Sequence, residues 1–176
     1  MLPTVWTIGH STRGLEELVQ LLAQHHIELV VDVRRYPGSR RWPHFASTAL
    51  EQSLPAAGLC YHWLPSLGGR RRPAPDSLNT AWRSSMFRGY ADYMATEAFA
   101  EGLLELEACV YGLRTCIMCA EAVWWRCHRG LIADVLQWQG FGVRHILSAS
   151  STVAHPYTAA ALVTRTGVSY APAGEQ

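Results

Sequence analysis

The sequence predicts an α/β protein, a three-layer sandwich around a mostly parallel, Rossmann-like sheet of about five strands. Short apolar runs typical of buried strands alternate along the chain with amphipathic helical stretches. The first strand, helix and second strand fall within about thirty residues, the size of a βαβ unit. With 49% hydrophobic and 16% charged residues over 176 positions, the composition is that of one globular domain.

The first elements follow one another in an order that favours a parallel sheet. An apolar run over 4–8 ends at a Gly-His-Ser turn and predicts a buried strand. Leucines and a valine at helical spacing predict an amphipathic helix over 14–25, and the apolar run over 28–33 predicts a second strand. Thr48 and Glu51 predict a capping box at the start of the next helix.

The second half resumes the alternation after a loop over 65–79, a length typical of functional or mobile segments. If the strand order is 3-2-1-4-5, the loops after the first and fourth strands face each other across one crevice. The predicted strands are 4–8, 28–33, 59–63, 114–119 and 142–147, and the predicted helices are 14–25, 48–57, 87–95, 97–110 and 127–139.

The domain organisation is predicted to be one α/β domain over 1–150, followed by a tail or an extra helix over 151–176. No apolar run reaches the roughly 18 to 20 residues of a membrane span, so we expect no membrane partner. Five cysteines without disulfide spacing, and an N-terminus unlike a signal peptide, favour the reducing cytoplasm. The sequence leaves the oligomeric state open.

The charged residues exclude some chemistry. All fifteen basic residues are arginine, and fourteen acidic residues bring the net charge to +1. A lysine nucleophile, a Schiff-base lysine and a P-loop lysine are therefore excluded. A bulk electrostatic nucleic-acid binder is disfavoured, although a local basic patch survives this averaging.

Polar residues collect where the predicted strands end, and in a parallel sheet those ends share one edge, where ligands bind. The predicted catalytic residues there are His10, Cys119, Glu121, Cys127 and His128. The predicted substrate-binding residues are Ser11, Asp32, Arg34, Arg35, Gly68, Gly69, Tyr93 and Arg129.

Several separated motifs recur together in one known family. They are TIGHS at 7–11, DVR at 32–34 with Pro37 and Ser39, LGG at 67–69, YADYM at 90–94, and MCAE at 118–121 followed by CHR at 127–129. With these motifs the chain resembles the DUF488 family from about residue 7 to residue 146. The resemblance implies an α/β scaffold on which these positions form a signature cluster. It implies no activity, because the family is named for lacking one.

Cys119 and Cys127 are the candidate nucleophiles. A reactive thiol needs a lowered pKa, and Cys127 has the predicted helix start and His128 beside it to lower that value. The alternative is that both cysteines are small buried residues. Cys116 and Cys119 form a CxxC, but residues three apart on a strand face opposite sides, so we expect neither a redox pair nor a shared metal there.

Glu121 and His10 are the candidate acid–base groups. The apolar neighbours Val123, Trp124 and Trp125 would raise the pKa of Glu121 and make it a usable general acid or base. Alternatively, Glu121 forms a structural ion pair with a nearby arginine. No cofactor is otherwise predicted, but His10, Cys119, Cys127 and His128 offer an alternative mixed zinc site.

Arginines and aromatic residues at this end indicate the substrate. Guanidinium groups of Arg34, Arg35 and Arg129 suit phosphate, and flat rings such as Trp42 and Trp124 suit bases. The sequence therefore predicts a small hydrolase- or transferase-like enzyme for an anionic small molecule, either phosphorylated or containing a nucleobase. The alternatives are a non-catalytic nucleic-acid-binding module and a metal-binding domain.

Overall fold

The computed structural model describes residues 2–174, which form a six-stranded sheet with helices on both faces and a separate two-stranded ribbon. The α/β class and the three-layer arrangement are confirmed. The strands are β1 Thr4–Gly9, β2 Leu29–Asp32, β3 Cys60–Trp63, β4 Thr115–Cys119, β5 Gly142–Ile146, β6 Thr152–Ala154, β7 Leu162–Val163 and β8 Val168–Ser169. The helices are α1 Leu15–Gln24, α2 Ser47–Ala56, α3 Ser85–Tyr93, α4 Glu97–Gly112 and α5 Arg129–Trp138.

The observed strand order is β3-β2-β4-β1-β5-β6, so the predicted order 3-2-1-4-5 is wrong about the centre of the sheet. Strand β4 lies between β2 and β1, and all five of its residues are buried, as expected for a strand at the centre of a sheet covered on both faces. Strands β1 and β4 are nevertheless neighbours, with Gly9 in register with Cys119. The first five strands run parallel, and β6 is antiparallel to β5.

Two cores cover the two faces of the sheet. Helices α1 and α2 pack on one face, and α3, α4 and α5 pack on the other. Alternation along β4 places Cys116 in the core beneath α1 and α2 and Cys119 in the core beneath α3, α4 and α5, as expected for residues three apart on a strand. Cys119 therefore lies on the same side of the sheet as α5, which follows Cys127.

Several local predictions need correction. The capping box of Thr48 and Glu51 does not form, because Ala46 is the N-cap of α2 and no side chain caps this helix. Helix α5 begins at Arg129, which leaves Cys127 just before its first turn. Within the described residues 151–174 there is no extra helix: this part contributes β6 to the sheet edge and the β7–β8 ribbon. Residue 1 of the predicted domain and residues 175–176 of the predicted tail lie outside the described residues.

None of the helices in the described residues combines the length and the apolarity needed to cross a bilayer.

Candidate functional site

The carboxyl ends of β1, β2 and β4 open into a cavity of about 340 Å³. A volume of this size is in the range of small-molecule sites. All five predicted catalytic residues line it, together with Arg34, Arg35 and Gly69 from the predicted substrate-binding set. Further lining residues are Tyr36, Gly38, Ser39, Trp42, Arg70, Met86, Phe87, Tyr90, Ala120 and Arg126.

Two glycines allow distant segments to meet at this cavity. A Cβ on Gly9 would lie 1.8 Å from the backbone oxygen of Glu121, so only glycine lets β1 end against the Glu121 loop. A Cβ on Gly69 would lie 2.9 Å from Nδ1 of His128. The predicted glycine loop is therefore packed directly against the histidine ring.

Cys127 and His128 form a thiol–imidazole pair at the cavity wall. The Nε2–H of His128 donates to the carbonyl of Val33 at 2.8 Å, which leaves Nδ1 as the ring's acceptor. That Nδ1 lies 3.6 Å from Sγ of Cys127 and 4.0 Å from Sγ of Cys119. His128 is thus oriented to take a proton from a thiol.

The two thiols differ in electrostatic environment. Burial alone would raise the pKa of Cys127, but a hydrogen bond from Cys119 and the positive charge of His128 and Arg129 hold that pKa well below its usual range. The same hydrogen bond and burial raise the pKa of Cys119 well above its usual range. These opposite directions favour Cys127 as the thiolate and Cys119 as the neutral thiol that donates to it.

Arg129 reaches this thiolate from inside the protein. Its Nε donates to Sγ of Cys127 at 3.4 Å, its Nη2 to the carbonyl of Glu121 at 2.5 Å, and its Nη1 to Oγ1 of Thr7 at 3.3 Å. The guanidinium is buried and does not line the cavity. Arg129 is placed to stabilise the thiolate rather than to contact a ligand.

A buried polar chain continues from Thr7 to Asp134, in the middle of α5. Thr7 Oγ1 lies 2.6 Å from Nδ1 of His145, and Nε2 of His145 lies 2.9 Å from Nδ1 of His155, both at hydrogen-bonding distance. His155 Nε2 then donates to the carboxylate of Asp134 at 2.9 Å. These bonds form one continuous buried chain from Arg129 to Asp134.

Asp134 also anchors the C-terminal segment. Its oxygens accept bonds from the backbone and hydroxyl of Thr158 and from the hydroxyl of Tyr170. Sequence analysis missed this chain, because a lone His155 in a polar segment carries no pattern. Trp124, predicted to stack on bases, instead lies parallel to the His145 ring at 4.6 Å.

His10 and Asp32 position Arg34. Asp32 accepts from Nε and Nη2 of Arg34 at 2.8 and 2.6 Å, and Nη1 of Arg34 donates to Nε2 of His10 at 3.2 Å. Nη2 also donates to the carbonyl of Phe45. Four of the five guanidinium hydrogens are thereby used, which leaves one on Nη1 for a ligand.

His10 is held neutral. Burial and the nearby charge of Arg34 lower its pKa to about 4, although its hydrogen bond to the backbone of Ser11 opposes this shift. Because Nδ1–H donates to the carbonyl of Ser11 and Nε2 accepts from Arg34, neither ring nitrogen is left for a metal. The geometry favours a positioning role for His10.

Glu121 is not in apolar surroundings as predicted. Its side chain is exposed at the cavity rim, and within the described residues its carboxylate forms no ion pair. The ring of Trp124, one of its expected apolar neighbours, lies against His145 instead. The backbone carbonyl of Glu121, by contrast, is fixed by Arg129.

Five other predicted substrate-binding residues do not line this cavity: Ser11, Asp32, Gly68, Tyr93 and Arg129. Tyr90 does, and it was missed because Tyr90 and Tyr93 share one face of α3 and the sequence does not separate them. The ring of Tyr90 meets His128 edge-on at 5.0 Å, and its hydroxyl donates to Leu67.

Cys119, Cys127 and His128 are the residues that could hold a metal. Their ligand atoms all lie within 4.8 Å of one another. His10, the fourth ligand of the predicted zinc site, is bonded elsewhere. The guanidinium of Arg129 beside Sγ of Cys127 already supplies the positive charge that a metal would bring.

Comparison with protein-family models matches residues 14–136 to the family described as "Domain of unknown function DUF488". The matched span includes both thiols, His128, Arg129 and Asp134, whereas His10, His145 and His155 lie outside it. Comparisons with curated proteins and with solved structures return no match.

Proposed function

Because the chain belongs to the DUF488 family, whose description assigns no activity, we propose a function from the site itself. The protein is a thiol-dependent hydrolase or transferase with Cys127 as its nucleophile. Its substrate is anionic and carries a phosphate or a nucleobase.

One observation carries this proposal: Sγ of Cys127 lies 3.6 Å from Nδ1 of His128 and 3.4 Å from Nε of Arg129, at the wall of a cavity. A proton acceptor and a fixed cation around one sulfur are the arrangement that keeps a thiolate at neutral pH. A purely structural cysteine has no need of either.

The cavity rim supports an anionic substrate. Arg35, Arg70 and Arg126 line the cavity, and Arg34 retains one free N–H there. Glu121 is the one carboxylate among the lining residues. Guanidinium groups bind phosphate oxygens through paired hydrogen bonds, so this rim suits phosphate better than a neutral ligand.

The proposed chemistry has two steps. The Cys127 thiolate attacks an electrophilic phosphorus or carbon, so that a bond to sulfur forms and the bond to the leaving group breaks. His128, which holds the thiol proton, gives that proton to the leaving group. Water or an acceptor hydroxyl then attacks the same atom, gives its proton to His128 and releases the thiolate.

Site-resolved labelling with iodoacetamide across pH tests the proposal. We expect Cys127 to label with a midpoint below the free-thiol value of about 8.5, and the exposed Cys60 serves as the internal reference. Cys119→Ala removes the hydrogen-bond donor and should raise the midpoint of Cys127. Cys127→Ser should abolish turnover on a panel of phosphomonoesters and nucleotides.

Two outcomes contradict the proposal. A labelling midpoint of Cys127 equal to that of Cys60 would show that Cys127 is not held as a thiolate. Stoichiometric metal in the purified protein, together with Cys127 labelling that rises sharply when a chelator is added, would show that the thiols are metal ligands and not a nucleophile with its neighbour.

A further inference from the structure

Three consecutive arginines separate the reactive cavity from a second groove. The segment Arg70 to Arg72, called the arginine strap here, follows the glycine loop that packs on His128. The groove beyond it has a volume of about 710 Å³. Its lining includes the strap itself, Asp92 and Tyr93. Arg35, Tyr36 and Arg70 line both spaces, so the groove adjoins the cavity.

The strap is held in place from several sides. A Cβ on Gly89 would lie 2.0 Å from the backbone oxygen of Arg71, so the strap touches the backbone of α3 itself. Arg71 donates from Nε to the carbonyl of Gly68 at 3.1 Å and covers the ring of Tyr93 at 3.7 Å. The groove is thus preformed rather than assembled by a mobile loop.

The junction between the two spaces carries an unusual backbone. Arg70 has φ of 59°, in the left-handed region that non-glycine residues rarely adopt. Its carbonyl accepts from Nη1 of Arg35 at 3.0 Å. Strained backbone of this kind concentrates at ligand-binding positions, where the surrounding structure holds it.

The groove is positively charged. The side chains of Arg70 and Arg72 are exposed, and within the described residues their guanidinium groups form no hydrogen bond or ion pair. The acid in the groove is Asp92, whose carboxylate is occupied by Ala74, Ser77 and Asn79. Polyanions therefore meet unpaired arginines and no competing free acid.

An aromatic ring stands beside these charges. Tyr36 is 60% exposed, and the guanidinium of Arg35 lies 5.1 Å from its ring centre. A flat exposed ring next to arginine is a stacking platform for a nucleobase. An acidic peptide would use the arginines but not this ring.

We infer that the arginine strap and its groove form a second subsite, which binds the sugar-phosphate backbone of a single-stranded nucleic acid. One nucleotide of that strand enters the Cys127 cavity, and the flanking phosphates lie against Arg70 and Arg72. This rests on the proposed function, of which it names the substrate class.

Fluorescence anisotropy with a labelled octathymidylate tests the inference. We expect binding that weakens with salt, and Arg72→Ala should reduce the logarithmic salt slope by about one. The control is Arg165→Ala, an exposed arginine that lines neither space and should leave the slope unchanged. Tyr36→Leu should weaken binding several-fold without changing the slope.

Competition experiments identify the ligand. Thymidine 5′-monophosphate should displace octathymidylate far less well than an unlabelled strand does, and an octaglutamate peptide should compete poorly. Octaglutamate that competes as well as the strand, or an Arg72→Ala slope equal to that of Arg165→Ala, would overturn the inference.

The two proposals fail separately. A low Cys127 labelling midpoint in a protein that does not bind the strand removes only the second subsite. If the protein binds the strand with the expected salt slopes but Cys127 labels with an ordinary midpoint, the binding subsite stands and the proposed nucleophile is wrong.

Discussion

Two buried neutral histidines predict a steep loss of stability in acid. Burial, the neighbouring His155 and the charge of Arg129 lower the pKa of His145 from 6.5 to about 3. Burial is also the main cause that lowers the pKa of His10 from 6.5 to about 4. In the unfolded chain each ring takes up a proton as the pH falls below about 6.5. In the folded protein each ring stays neutral until the pH approaches its lowered pKa.

The sign and the magnitude follow from these shifts. Because the unfolded state binds more protons, the free energy of unfolding is at its full value above about pH 6.5 and falls as the pH drops toward 4. At about 1.36 kcal/mol per pKa unit, each histidine costs roughly 3 kcal/mol at pH 4, about 6 kcal/mol together. A domain with a typical stability of about 5 to 15 kcal/mol loses a large part of it.

Urea unfolding followed by tryptophan fluorescence at about pH 7 and about pH 4 measures this loss. His145→Gln keeps an acceptor for Thr7 and a donor for His155, so it should remove about half of the pH dependence. The control is His26→Asn at an exposed position with φ of 56°, a conformation that asparagine tolerates. An equal free energy of unfolding at the two pH values would refute the reasoning. So would a loss between pH 7 and pH 4 that is the same in His145→Gln as in the wild type.

Three further predictions concern the support of the site. In Gly69→Ala the new Cβ lies 2.9 Å from Nδ1 of His128, so the ring must move and the labelling midpoint of Cys127 should rise toward the free-thiol value; an unchanged midpoint would contradict this. Asp134→Ala leaves buried donors without an acceptor and should lower the free energy of unfolding by about 3 to 5 kcal/mol. Tyr170→Phe removes one of those bonds and should cost about 1 kcal/mol in the same urea assay.

The elements of the fold were predictable because their signals are local. Strand β4 is an uninterrupted buried run and α4 has an apolar face, and neither depends on a distant partner. The strand order was not predictable in the same way. Several strands are buried enough to lie at the centre, and the position of β4 between β2 and β1 depends on contacts between segments that are distant in the sequence.

The candidate site was likewise predictable only where its signals are local. Because parallel strands end at one edge, the sequence was enough to bring His10, Cys119 and His128 to one cavity. It could not say that Arg129 faces inward to a thiol while Arg126 lines the cavity, since both belong to one arginine-rich turn.

The sequence by itself determined the class of fold, the positions of the elements and the side chains that collect beyond the carboxyl ends of the strands. Only the tertiary structure decided which groups surround each thiol and which donors remain free. Those properties depend on hydrogen bonds between remote residues, such as His128 with Val33, 95 positions away, and Thr7 with His145, 138 positions away. Differences of a few tenths of an ångström decide such bonds, whereas a periodic pattern fixes only the face on which a residue lies.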